Sequence, residues 1–135
     1  MGGRFLPEYK RPAAGEFDAY YQGYLDLVPA DVTDILQHLK KQGLEMLTLM
    51  RSLDDAGAEY RYAPDKWSIK EVVGHLIDAE RLFAFRALWF ARGEPSEQPG
   101  MDQDLWAANS NAHDRPLPDL WREQHVCRTD HVYLF

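Results

Sequence analysis

The chain has 135 residues, 45% hydrophobic, 13% aromatic and 27% charged, with 15 Lys and Arg against 22 Asp and Glu for a net charge of −7. That length suits a single domain, 1–135, and the aromatic content excludes disorder as a general description. An acidic balance without clustered basic residues argues against nucleic acid as a partner, the lone Cys127 excludes an intrachain disulfide, and no apolar run approaches the roughly 20 residues of a membrane span.

Residues 1–30 mix Pro7, Pro12, Gly15, Gly23 and Pro29 with Tyr9, Phe17, Tyr20, Tyr21 and Tyr24. Proline and glycine interrupt helices while aromatic rings need cover, so an irregular arm is expected, with a helical turn near Tyr20. Met1 to Lys10 lacks the apolar core of a secretory signal, which makes a cytoplasmic location the expectation.

From Asp31 to Asp55, the residues Ile35, Leu36, Leu39, Gln42, Met46, Leu49, Met50 and Leu53 recur at helical spacing, with one polar interruption, and predict a long helix. Asp31 or Thr33 is the expected N-cap and Gly57 the expected stop. A loop through Pro64 leads to Ser68-Ile-Lys-Glu71, a capping box in which serine and glutamate satisfy free N–H groups reciprocally. The helix it opens carries an apolar stripe through Ile69, Val72, Leu76, Ala79, Phe83, Ala87 and Phe90, and Gly93 ends it near Arg92. Asp102 to Asn111 reads as a short helix. Beyond Pro116 and Pro118, the pattern Leu120, Trp121, Gln124, Cys127, Arg128, His131 and Leu134 starts a third amphipathic helix. Three such rods without alternating strand patterns predict an all-α, helix-on-helix fold.

Few side chains suggest chemistry. His75 flanks the apolar stripe of its helix, with Glu71 and Asp78 one turn away, so it either faces a cleft or is a half-buried histidine bonded to those carboxylates or to water. Cys127 and His131 share a face and, with His125, look superficially metal-like, although packing accounts for that face better. Asp78 and Glu80 project to different sides, which favours charge pairing over a shared acid–base pair; Arg81 and Arg86 are the expected partners of neighbouring acids, and Glu80 finds no cation on its own helix. His38 and His113 read as solvated. No phosphate-binding glycine loop, Gly-x-Ser-x-Gly elbow or His-Glu-x-x-His pair occurs.

The run Tyr62-Ala-Pro-Asp-Lys-Trp-Ser-Ile-Lys-Glu-Val-Val-Gly-His75, continuing to Arg86, resembles the DinB-like metalloenzyme family, as do Arg92-Gly, Pro99-Gly-Met-Asp102 and Leu120 to Phe135. The resemblance implies an up-down four-helix bundle binding a divalent metal (Zn, Ni or Mn) through three histidines, of which the first matches His75, with Glu71 and Asp78 as outer-shell residues. It implies a thiol-dependent transferase or hydrolase acting on a small-molecule or thiol substrate. The other two ligands belong to a His-x-x-x-His helix expected after Phe135. The expectation is therefore three long helices with the fourth missing, a truncated bundle of impaired activity. The competing expectation is an interaction module that forms a homodimer through the groove left open between its helices.

Overall fold

The computed structural model describes residues 9–135; the first eight residues of the predicted arm lie outside this range. The described residues contain six α-helices: α1 (Gln22–Asp26), α2 (Ile35–Arg51), α3 (Asp55–Ala58), α4 (Ile69–Ala91), α5 (Gln103–Asn109) and α6 (Leu117–Leu134). Short 3-10 turns precede α1 at Ala19–Tyr21 and α6 at Ala112–Asp114. The fold is all-α, as predicted. The expectation of three helices with a fourth missing is not met: the described residues hold six α-helices, the short α1, α3 and α5 among them, and the C-terminal rod α6 is present. The descriptions truncated and four-helix bundle fall with it. Periodicity counts only long rods, whereas a one-turn helix such as α3 is fixed by its Asp54 cap, whose carboxylate accepts from the Gly57 N–H at 2.7 Å.

Side-chain caps also start α2, α4 and α5. Asp34, not Asp31 or Thr33, opens α2 by accepting from the Gln37 N–H at 2.9 Å. Gly57 lies inside α3 instead of terminating the helix before it. The capping box of α4 forms as predicted: the Ser68 N–H donates to Glu71 at 2.7 Å and the Glu71 N–H donates to the Ser68 hydroxyl at 3.2 Å. Gly93, at φ 71°, follows the end of α4 in a left-handed conformation that an L side chain rarely adopts. Asp102 caps α5 through the Leu105 N–H, and Pro118 occupies the first turn of α6, where no amide donor is needed.

The two other long rods, α2 and α4, both pack along α6 and meet each other little. The core between them gathers Met50 from α2, Val73 and Ile77 from α4, and Leu120 and Cys127 from α6, closed below by Ala112. Lys70 is almost fully buried, its ammonium 3.2 Å from Asp55 and 3.8 Å from Glu59. The same Asp55 carboxylate accepts from the Leu117 N–H at 2.7 Å, so α3 holds the starts of both α4 and α6.

The face of α4 inside this core is Val73, Gly74, Ile77 and Ala84. It is not the stripe that periodicity selects. On that stripe Val72 is 41%, Phe83 61% and Phe90 69% exposed. Helical spacing fixes the relative phase of apolar residues, but neighbouring elements decide which of two apolar arcs is covered.

Gly74 is where α4 and the turn before α6 come closest. A Cβ placed there would lie 2.6 Å from the Ala112 Cβ. Gly74→Ala is expected to lower stability by about 1–2 kcal/mol, overpacking outweighing the roughly 1 kcal/mol helix preference of alanine. Denaturant titration of the single variant and of Gly74→Ala combined with Ala112→Gly checks this: the second change should restore stability, and equal stability of the single variant and the parent would contradict the contact.

Candidate functional site

The groove left between α2 and α4 is floored by α6. It encloses about 440 Å³, with Leu39 on one wall, Leu76, Phe83 and Ala87 on the other, and Arg128 and His131 beneath. Arg128 joins all three rods. Its Nε and Nη2 donate to the two Glu80 carboxylate oxygens, each at 2.7 Å, and its Nη1 donates to the Leu39 carbonyl at 3.0 Å and to Gln42 at 3.1 Å. This fork-on-fork geometry is the strong form of an ion pair, and both partners are largely buried. Gly43 makes the crossing possible, since a Cβ there would stand 3.0 Å from Arg128 Cγ. Glu80 thus has a cation, supplied from α6 and not from its own helix.

His131 Nδ1 lies 3.5 Å from Glu80 Oε1. It is buried without a hydrogen-bond partner among the described residues. Cys127, one turn away, faces the core, and burial pushes its thiol above the ordinary value, with Arg81 opposing. A thiol so placed is a packing group and not a nucleophile. His125 lines a separate hollow with Lys40 and Leu44, so the structure does not bring His125, Cys127 and His131 together as one donor set.

His75 is half-buried with its ring 5.0 Å from the Trp67 ring. Burial pushes the Asp78 carboxyl up, Glu123 adding to that and Arg81 and His75 opposing it. Glu123 accepts from Arg81 at 2.8 Å and from Arg115 at 2.6 Å; burial raises its carboxyl, but these two guanidinium partners outweigh it and hold the carboxyl below the usual range. Arg81 therefore pairs with an acid of another helix, as expected, whereas Arg86 donates to the Pro99 carbonyl at 2.7 Å. His113 is not solvated: its Nδ1 lies 3.3 Å from the Ser68 hydroxyl. Because that hydroxyl oxygen already accepts from the Glu71 N–H, its own proton is free to go to the imidazole.

The metal implied by the resemblance needs several donors around one point. Among the described residues no three His, Cys, Asp or Glu side chains stand close enough to hold an ion. The Glu71 carboxylate is engaged by the Ser68 N–H and by Arg61 at 2.6 Å. The donor set does not fit a metal centre, so the expectation of a metal-binding protein is corrected and no chemistry is routed through one. The expected loss of activity through a missing helix is corrected as well, since the C-terminal rod α6, Leu117–Leu134, is present.

Glu71 gives the clearest pH signature. Burial raises its carboxyl, but the Ser68 N–H and hydroxyl and the Arg61 guanidinium together outweigh burial and hold it below its ordinary 4.5. A carboxylate depressed by folding stabilises the protein above its unfolded value, and that contribution disappears as pH falls through the folded one. Glu71→Gln keeps the cap and removes the charge. The stability difference between parent and variant should be largest above about pH 5 and shrink as pH falls towards about 3. Chemical denaturation across that range measures it, and a difference independent of pH would contradict the assignment.

A sequence profile described as the DinB superfamily matches residues 38–125, nearly two-thirds of the chain. No curated protein and no solved structure matches. The matched segment contains most of α2, all of α3, α4 and α5, and the first half of α6, together with the Lys66-Trp-Ser-Ile-Lys-Glu-Val-Val-Gly-His75 run. On that match, the chain belongs to the DinB superfamily.

Proposed function

We propose that this protein is a helical pairing module that forms a homodimer through the groove between α2 and α4. The observation that carries this reading is the uncovered stripe of α4. Phe83 and Phe90, two-thirds exposed, stand on the longest helix beside Leu76, Ala79 and Ala87. An apolar face of that extent is unfavourable in water and marks a contact surface.

A second copy suits the groove better than an unrelated partner. Bulky Phe83 and small Ala79 and Ala87 occupy one face of one helix. Under a twofold axis the knob of each copy meets the hole of the other, which is the self-complementarity of an isologous interface. The floor supports the same reading, because Glu80 and Arg128 neutralise each other and covering them leaves no unpaired charge. With −7 on each copy, long-range repulsion opposes pairing, so association should strengthen as salt screens it.

Sedimentation equilibrium tests this. The parent should be dimeric at about 50 µM, more so at higher salt, whereas Phe83→Asp should be monomeric with unchanged helical circular dichroism. Phe83 is an exposed side chain, so the variant tests the interface and not the fold. A parent that stays monomeric at that concentration, or a Phe83→Asp dimer, overturns the proposal.

A further inference from the structure

A further concavity lies where the loop before α4 meets the starts of α4 and α5. It measures about 760 Å³, and Tyr60, Tyr62 and Trp67 line it together with Asp65 and Asp104. Tyr62 is 73% and Tyr60 63% exposed. Large rings held out in water on a loop are costly unless something covers them, and three of them around one cleft form a surface of consistent character.

The cleft's polar groups are uncommitted. Among the described residues, the Tyr60 and Tyr62 hydroxyls and the Asp65 and Asp104 carboxylates make no hydrogen bond or ion pair with another side chain. This contrasts with the acids nearby: Glu71 is held by Arg61, and Asp55 by Lys70 and the Leu117 amide. Two free carboxylates face a single cation, Lys66, so the cleft is net negative in a chain of net charge −7. Ile69 and Val72 add apolar wall.

Aromatic faces carry negative quadrupole charge, and together with carboxylates they attract cations whose hydration is weak enough to shed. We infer that this cleft binds an organic ammonium cation bearing alkyl groups, its charge set between the tyrosine faces and the two carboxylates and its methyl groups against Ile69 and Val72. A hydrated metal ion keeps its water and gains little from the rings, and a sugar leaves the carboxylate pair without a counter-charge. Trp67 connects the cleft to the interior, since its ring contacts His75. Occupancy is therefore readable at the His75 ring, outside the lining of the cleft, as well as at Trp67 itself.

The test uses tetramethylammonium chloride as probe, titrated into the full chain at constant ionic strength and followed by the indole N–H resonance of Trp67 and the ring resonances of His75. A saturable shift with a dissociation constant of about 10 mM or tighter is expected, weakened at least about threefold by Tyr62→Ala and by Asp104→Asn. Both positions are exposed, so neither variant threatens the fold. The neutral isostere tert-butyl alcohol should bind at least about threefold more weakly than the cation. Equal response to the two probes, unchanged affinity in both variants, or no saturable shift up to about 100 mM overturns the inference.

Discussion

The guanidinium of Arg128 reaches from α6 to both neighbouring rods, and the shape of the molecule depends on that reach. It grips Glu80 on α4 with two bonds and Leu39 and Gln42 on α2 with two more. A hydrophobic contact in the same place is non-directional and lets the rods slide, whereas a planar fork fixes distance and angle together. The arrangement holds α2 and α4 at a set separation over α6. The groove lies between the two rods that this tie joins. Gly43 is part of the device, because a larger residue crowds the arginine stem where it crosses α2.

From this follows the divided character of α4. One arc, Val73, Ile77 and Ala84, meets α6 and the turn at Ala112; the other, through Leu76, Phe83 and Phe90, remains on the groove side. A helix apolar on two faces needs two neighbours. Among the described residues only the first is supplied, and the proposed dimer fills the second place with another copy. No helix of the described residues is long and apolar enough to cross a membrane.

What could be read from the sequence was local. Ser68 and Glu71 are three residues apart and cap one helix, so their motif is visible in the string and present in the structure. The ends of α4 and α5 were legible for the same reason. The choice of buried arc on α4 was not, since both arcs carry apolar residues at helical spacing. Nor were the ties between distant positions: Glu80 with Arg128 lies 48 residues apart and Ser68 with His113 45. Asp55 joining Lys70 and Leu117 is of the same kind. The helix count failed because the one-turn helix α3 leaves no periodic signal, only an aspartate cap. Family resemblance identified the superfamily correctly, yet among the described residues no three donors gather to hold an ion: the His75 ring lies tilted at 5.0 Å from that of Trp67, and the carboxylate of Glu71 belongs to the cap.

The central claim is that the exposed arc of α4 is covered by the same arc of another copy. Isotope-filtered NOE spectroscopy on an equimolar mixture of methyl-labelled and unlabelled chains, at about 1 mM, addresses it most directly. The account requires intermolecular cross-peaks between the Phe83 ring of one copy and the Leu76 and Ala87 methyl groups of the other. Cross-peaks confined to single chains, with the Phe83 ring in contact only with solvent, would contradict it.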